Sequence, residues 1–289
     1  MLESATDHRE GEREASPERS RGATDPSEQL DTGPGLARMA WPPLVTVLIL
    51  LAAWEVFVRW QDISPAVLPT PTDVLDAMWD DRANLWGATW ITLQTVLLGF
   101  GSALVLAILI GVVVDSFGWV RRSIYPVIVV SQTLPIVAIA PLVVIWFGFG
   151  ISSHAFVVAM YTFFPVAVSL AQGLASTDED AMNLLRTMGS GRVRLLLKVR
   201  FPSALTQLFT GIRVSMSFAV IAAVIAQFVG AVEGLGIYML TMKNALRTDL
   251  VFGPVTVTSA VTLLLFGGVV VLQRLVMPWY RPRTQGDAG

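Results

Sequence analysis

The sequence has no cysteine and, among its 289 residues, only two histidines, His8 and His154. Without cysteine there are no disulfides, no thiolate metal sites and no thiol nucleophile, and the redox compartment is left open. Two isolated histidines cannot build a histidine metal cluster, and they argue against a histidine-based triad. Charge is scarce as well: Asp, Glu, Lys and Arg make up 15% of the chain against 54% hydrophobic residues, and the mean hydropathy is +0.62. An average soluble domain carries about 25% charged residues, so this composition belongs in a membrane. No G-x-x-x-x-G-K-S/T phosphate loop occurs. The chain by itself therefore cannot cradle a nucleoside triphosphate in the usual way.

What charge there is clusters. Residues 1–38, MLESATDHREGEREASPERSRGATDPSEQLDTGPGLAR, hold nine acids and five arginines with almost nothing to bury. They are expected to form a disordered tail. They lack the short basic region running at once into a hydrophobic core that marks a signal peptide, so the first apolar segment is expected to be retained. A bilayer core about 30 Å thick needs roughly 20 apolar residues per helix. Six stretches come close: about 41–60, 89–114, 123–147, 154–174, 209–230 and 254–276. The expected fold class is all-α and integral to a membrane, with about six transmembrane helices. Lys and Arg are retained on the cytoplasmic side. Arg121 and Arg122 follow the second stretch, Arg186, Arg192, Arg194, Lys198 and Arg200 the fourth, and Arg274, Arg281 and Arg283 the last. The alternate loops hold Arg82, then Lys243 and Arg247. That bias puts both termini, and the loop between the fourth and fifth stretches, in the cytoplasm.

This loop, NLLRTMGSGRVRLLLKVRFPSAL, is a basic, glycine-broken interruption of an otherwise oily chain. Ser176 or Thr177 offers an N-cap, with Glu179 or Asp180 three residues on. Met182, Leu185 and Met188 recur at helical spacing, and Gly189 is suited to end the helix in a left-handed conformation. A second short helix is expected over about 191–199, stopped or redirected at Phe201-Pro202 by proline's fixed φ and missing donor. Such a hairpin, 176–202, can lay an apolar face in a partner's groove. Alternatively it fixes topology and lies on the membrane surface.

Within the apolar stretches, Gln132 and Gln227 are candidates for a translocation path, since polar groups in hydrocarbon often mark function. The other reading is an interhelical hydrogen bond that holds the bundle together. Trp146, Phe163 and Phe164 can stack on a flat ring or serve as packing and interface anchors. Pro135 and Pro141 are expected to make the third span irregular where protein or water satisfies the freed carbonyls. Gly99, Gly101 and Gly111 suit close helix packing, and Glu55 stands four residues before Arg59, positioned to pair with it. No stretch has a clearly central Asp or Glu, Asp115 lying at a cytoplasmic end, which argues against an ion-coupled carrier. The lone His154 argues against an intramembrane enzyme.

The hairpin resembles the cytoplasmic "EAA" loop of binding-protein-dependent ATP-binding cassette importer permeases. Gly189 and Phe201-Pro202 keep the family interval, and Asn183-Leu184-Leu185 stands where the family has Glu-Ala-Ala. LPTPTDVL (68–75), SQTLPIVAIAPLVVIWFGFG (131–150), FFPVAVSLAQGL (163–174) and VEGLGIYML (232–240) are similar to the subgroup serving nitrate, sulfonate, taurine and thiamine-precursor uptake. The resemblance, from about 41 to about 280, implies a type I importer permease domain over 39–284 with the coupling hairpin 176–202, a short C-terminal tail over 285–289, and a multi-pass place in the bacterial cytoplasmic (inner) membrane. It implies a cytoplasmic ATPase that receives the hairpin and binds ATP and magnesium, an extracytoplasmic substrate-binding protein, a permease homodimer, surrounding lipid and no nucleic acid. This chain is then not an enzyme: it has no catalytic residue, no metal and no cofactor of its own. In that picture Gly189 and Pro202 set the hairpin's geometry, and Arg186, Met188, Arg192 and Arg194 contact the ATPase. Gln132, Trp146, Phe163, Phe164 and Gln227 border the path. YTFFPVAVSLAQGL, AVIAAVIAQFVGAVEGLG and TDLVFGPVTVTSAV look closest to the branch associated with thiamine precursors, related pyrimidines or riboflavin, with nitrate, taurine or alkanesulfonate uptake as the alternative.

Overall fold

Apolar residues in hydrocarbon need a backbone whose polar groups are satisfied within one segment, which a helix provides. The computed structural model of the protein describes residues 36–116, 126, 130, 133 and 135–278, and every regular element among them is helical. Most of the expected N-terminal tail, Arg121, Arg122, Gln132, Arg281, Arg283 and the C-terminal tail lie outside the described residues. The helices are α1 (Leu36–Trp60), α2 (Pro71–Asp80), α3 (Arg82–Ser116), α4 (Ile136–Phe147), α5 (Ile151–Ala175), α6 (Glu179–Thr187) and α7 (Arg192–Leu195). A π-helical turn (Leu196–Arg200) then leads into α8 (Phe201–Gln227), followed by α9 (Leu235–Asn244) and α10 (Thr248–Val276).

Among the described residues five segments are long and apolar enough to cross a membrane: Trp41–Trp60, Arg82–Val113, Ile151–Ala175, Leu196–Gln227 and Thr248–Val276. The expected third span, 123–147, falls largely outside the described residues, and its described helix, α4, has 12 residues. Pro135 does not interrupt that helix. It occupies the N-cap in extended conformation and starts α4, whereas Pro141 lies inside it.

The chain divides into two compact units, Met1–Leu50 and Leu51–Gly289. The described part of the first is the N-terminal portion of α1, which carries Pro42 and Pro43 and a Thr46 hydroxyl that donates to the Pro42 carbonyl at 2.9 Å. In the second, α5 packs most extensively, against α8 and against α3, burying Val96, Val158, Val166, Leu170, Ala219 and Val220 among others. Lipid is as apolar as these side chains, so close packing rather than hydrophobic burial holds the helices together. Glycine makes the approach possible. A Cβ on Gly99 would lie 2.5 Å from the Ala155 carbonyl oxygen, one on Gly111 2.5 Å from Leu170 Cδ2, and one on Gly211 2.5 Å from Ser169 Cβ. Gly101 would meet nothing within 4 Å. Two residues turn a helix by about 200°, so Gly99 and Gly101 cannot both face α5.

The LPTPTDVL stretch is a helix start. The Thr70 hydroxyl accepts from the Asp73 N–H at 3.2 Å, and the Asp73 carboxylate accepts from the Thr70 N–H at 3.1 Å, a reciprocal cap at the head of α2. Glu55 pairs with Arg59 as the spacing predicts, at 2.5 Å. It also accepts from the Thr72 hydroxyl and N–H at 2.8 and 3.2 Å, fastening the end of α1 to α2.

Candidate functional site

Two places concentrate polar groups, one at each end of the α3–α5–α8 core. The hairpin follows the C-terminus of α5. Its first helix, α6, is capped by Asp178, whose side chain accepts from the Asp180 N–H at 2.9 Å. The expected caps, Ser176 and Thr177, instead bond back to α5, donating to the Gly173 and Leu174 carbonyls at 3.1 Å each. Those carbonyls are left without helical partners where α5 ends, and nearby hydroxyls satisfy them. Gly189 then turns the chain at φ +78, its N–H donating to the Arg186 carbonyl and that of Ser190 to the Leu185 carbonyl, both at 3.0 Å. A Cβ there would touch nothing within 4 Å, so the left-handed φ, not space, calls for glycine.

Beyond the turn the structure departs from expectation. Pro202 does not stop the helix: it sits in the first turn of α8, where a missing N–H costs nothing additional, and α7, the π turn and α8 follow one another without a break. Arg200 donates to the Leu174 carbonyl at 3.1 Å and the Thr177 and Ser203 hydroxyls meet at 3.3 Å. Both arms of the hairpin are thereby lashed at their root. At the tip Met188 is 72% exposed, and Leu184, Leu197, Arg186 and Arg194 are exposed too. Arg186 reaches Asn183 Oδ1 at 3.3 Å. The side chain of Arg192 lies outside the described residues. The geometry thus presents apolar and basic groups together on a braced turn.

At the opposite end, Gln227 closes α8 with 1% of its surface exposed. Its Oε1 accepts from the Thr92 hydroxyl at 3.0 Å and the Gly236 N–H at 3.1 Å, and Thr92 Oγ1 accepts from the Leu235 N–H at 2.9 Å. A backbone N–H can only donate, so the amide atom facing Gly236 is the oxygen and the orientation of Gln227 is fixed. The glycines of the VEGLGIYML stretch serve this knot: a Cβ on Gly234 (φ +124) would lie 2.5 Å from Gln227 Cδ, and one on Gly236 2.4 Å from the Val224 carbonyl oxygen. Gln227 is therefore the interhelical tie between α3, α8 and α9. Its Nε2 has no hydrogen-bond partner among the described residues, and neither does Nε2 of His154, which is 3% exposed.

Both residues line a recess of about 150 Å³ together with Thr95, Phe149, Gly150 and Glu233. A wider recess of about 490 Å³ shares Ile91, Val232 and Glu233 with it and is bordered by Asn84, Trp90, Tyr238 and Thr241. Neither lining contains Lys or Arg. The Tyr238 hydroxyl donates to Asp81, pinning α9 to the junction of α2 and α3. Burial first, and then the Asp81 carboxylate, pushes the Tyr238 phenol well above its usual range.

Of the five residues expected along a path, Gln227 alone lines these recesses. Gln132 lies outside the described residues. Trp146 is exposed on α4. Phe163 and Phe164 are half-buried, packed against the core and against each other, ring centroids 5.2 Å apart at 74°. Nothing local in the sequence points from His154 to Gln227, and Thr92, one threonine in an apolar run, carries no signal. The Gly-Leu-Gly step at 234–236 was the visible trace of the knot.

Comparison with known proteins gives the following. The family model for "Binding-protein-dependent transport system inner membrane component" matches residues 103–282. The formylaminopyrimidine transport permease protein ThiX of Halalkalibacterium halodurans is 33% identical over 241 residues, 83% of this chain and 96% of that protein. The riboflavin transport system permease protein RibX of Chloroflexus aurantiacus is 32% identical over 249 residues, covering 84% and 93%. The taurine transport system permease protein TauC of Escherichia coli is 29% identical over 252 residues, covering 85% and 92%. In fold, the chain is similar to an amino acid ABC transporter crystallised with histidines, with a TM-score of 0.56 at 14% identity, over 71% of this chain and 97% of that one.

Proposed function

The chain belongs to the inner membrane components of binding-protein-dependent transport systems, and from that premise we propose that it forms the translocation path of an ATP-driven importer for a thiamine precursor, a related pyrimidine or a riboflavin-like compound. It is a multi-pass permease of type I importer fold, and such a system includes an ATPase and a binding protein. The named substrates of ThiX and RibX, two relatives above 30% identity, support the choice of solute. The observation that carries the coupling role is the braced turn at Gly189, with Met188 and Arg186 presented to whatever sits below.

In this reading the permease domain spans 39–284, both termini are cytoplasmic, and two copies of the chain enclose the path in lipid. A cytoplasmic ATPase holds ATP and magnesium. This chain's own residues act mechanically: Arg186, Met188, Arg192 and Arg194 seat the hairpin in the ATPase, while Gly189 and Pro202 fix its shape. Movement of the hairpin biases the bundle between two arrangements through contacts that differ between them. Gln132, Trp146, Phe163, Phe164 and Gln227 border the solute's route, and an extracytoplasmic binding protein delivers it. The test is gentle affinity purification of the tagged chain from its native membrane with mass spectrometry of what stays bound. Recovery of an ATPase carrying the phosphate loop is the expected result. Repeated recovery of the intact chain without one would overturn the primary-transport reading.

A further inference from the structure

Helix α2 is too short to cross a membrane, about 15 Å at 1.5 Å per residue, yet it stands between two segments that do cross. α1 ends at Trp60, and a single residue, Asp81, separates α2 from α3. The Glu55 carboxylate holds Thr72 at the start of α2, and Met78 lies 3.2 Å from where a Cβ on Gly253, near the start of α10, would stand. α2 is therefore fixed at the level where these helices leave the hydrocarbon. At about 100° per residue its side chains divide into three faces. Val74 and Ala77 are buried against the bundle, with Met78 half-buried beside them. Asp76 and Asp80 are exposed on a second face. Leu75 and Trp79, 61% and 70% exposed, share a third, about 40° apart and lying between Met78 and Asp76 around the helix.

The exposed leucine and tryptophan suit an apolar medium and the two carboxylates suit water, and a membrane surface offers both at once. Tryptophan concentrates at that level, and this end of the bundle exposes two more, Trp60 at the close of α1 and Trp86 in the second turn of α3. Arg82 holds Trp79 in place: its guanidinium carbon lies 5.1 Å from the indole centroid and its Nη1 donates to the Trp79 carbonyl at 2.9 Å. Arg82 is itself exposed and has no ion pair among the described residues. An apolar ring with a cation beside it is the pairing that interfacial side chains use, the body in the acyl region and the charge among the headgroups. We propose that α2 is an interfacial foot whose exposed face is covered by lipid: Leu75 and Trp79 enter the acyl boundary of the leaflet at this end, Arg82 sits among its headgroups, and Asp76 and Asp80 face water. Glu55 ties the foot to α1, and Asp81, through Tyr238, ties it to α9. The foot thereby sets the depth of this end of the bundle. The inference stands on the membrane-spanning fold alone and needs neither the solute nor the ATPase.

The absence of cysteine makes the test direct. Leu75→Cys, Asp76→Cys, Trp79→Cys and Asp80→Cys, each made singly in the full chain, are spin-labelled and placed in phosphatidylcholine nanodiscs, and each label's collisions with oxygen and with a water-soluble nickel chelate are compared. Labels at 75 and 79 are expected to favour oxygen, at an immersion depth of about 5–10 Å, and labels at 76 and 80 to favour the chelate. Should Trp79→Cys disturb the contact with Arg82, Leu75→Cys decides alone, since its side chain is not part of the packed core. Chelate access at 75 and 79 equal to that at 76 and 80 would put the face in water, open to a protein partner, and would overturn the foot. Shielding of 75 and 79 from both reagents would overturn it too, because a second protein surface would then cover them.

Discussion

Replacing Gly189 with valine isolates the mechanical role of the hairpin. A left-handed backbone costs a non-glycine residue roughly 1–2 kcal/mol, and a β-branched side chain belongs at the upper end. No clash adds to this, because a Cβ at Gly189 meets nothing within 4 Å. The turn is exposed and lies apart from the α3–α5–α8 core, so the strain is relieved by local rearrangement while the bundle persists. A penalty of 1–2 kcal/mol lowers the population holding the native turn by about 5–30-fold. The assay is solute uptake and ATP hydrolysis measured together in proteoliposomes containing the ATPase and the binding protein, beside a thermal melt of the permease. Gly189→Val should reduce uptake per ATP hydrolysed or lose the ATPase on purification, with the melt nearly unchanged. Gly189→Asn, which tolerates the left-handed region, should recover most of the function. Wild-type uptake in the valine variant would refute the reasoning. Equal damage from asparagine would show that φ is not what matters.

Gly211→Val forces a side chain into a contact where even a Cβ would lie 2.5 Å from Ser169 Cβ, so the detergent melt should fall by the equivalent of about 1–3 kcal/mol or more; an unshifted melt would remove the close α5–α8 approach from the account. Thr92→Val removes the acceptor of the Leu235 N–H and one donor to Gln227, and leaving a buried N–H unpaired costs about 1–3 kcal/mol, read in the same melt. Tyr238 is the pH-dependent tie. Because burial and Asp81 raise its phenol pKa in the folded protein, its stabilisation is fully present below the unfolded value of about 10 and is lost as pH rises beyond it. Ultraviolet titration should find one tyrosine still protonated where an exposed tyrosine has ionised, and Tyr238→Phe should abolish that resistant signal; a titration identical to wild type would contradict the assignment.

The membrane spans were legible because periodicity and length suffice when a single requirement, backbone satisfaction in hydrocarbon, dominates. Their ends were less so. The second span begins at Arg82 and the fifth at Leu196, earlier than hydropathy alone suggests, because charged and polar residues continue a helix wherever their heads reach the interface. The cap of α6 moved from Ser176 or Thr177 to Asp178, since all three side chains suit a cap and tertiary contacts with α5 and α8 chose among them. The sequence leads one to expect Pro202 to stop or redirect the helix, but a proline in a helix's first turn is neutral, and deciding between the two requires knowing that α7 and the π turn merge into α8. Gln227 was legible as an expensive polar residue. Its partner Thr92 was not, because it stands 135 residues away in sequence and nothing local announces it, whereas Gly236 lies in the Gly-Leu-Gly step nine residues on.

The correction at Pro202 changes how the two ends of the molecule relate. Had the helix broken there, the hairpin would hang from a joint and its motion would dissipate locally. Instead the apolar segment from Leu196 to Gln227 is continuous over 32 residues, about 48 Å at 1.5 Å per residue, beginning in the hairpin and ending at the knot. A tilt of only about 10° at one end of such a rod displaces the other by about 8 Å. The lashings at Arg200 and Ser203 tie the lower end to the end of α5, and the upper end is held through Gln227 to α3 and α9. Close glycine contacts along α5 leave little room for α8 to slide independently. Force applied at the hairpin is therefore carried by α5 and α8 as a pair, and the first polar groups it reaches at the far end are Gln227 and His154. The helical path that leads out of the hairpin thus also carries the side chain that ties α3, α8 and α9 together at the far end.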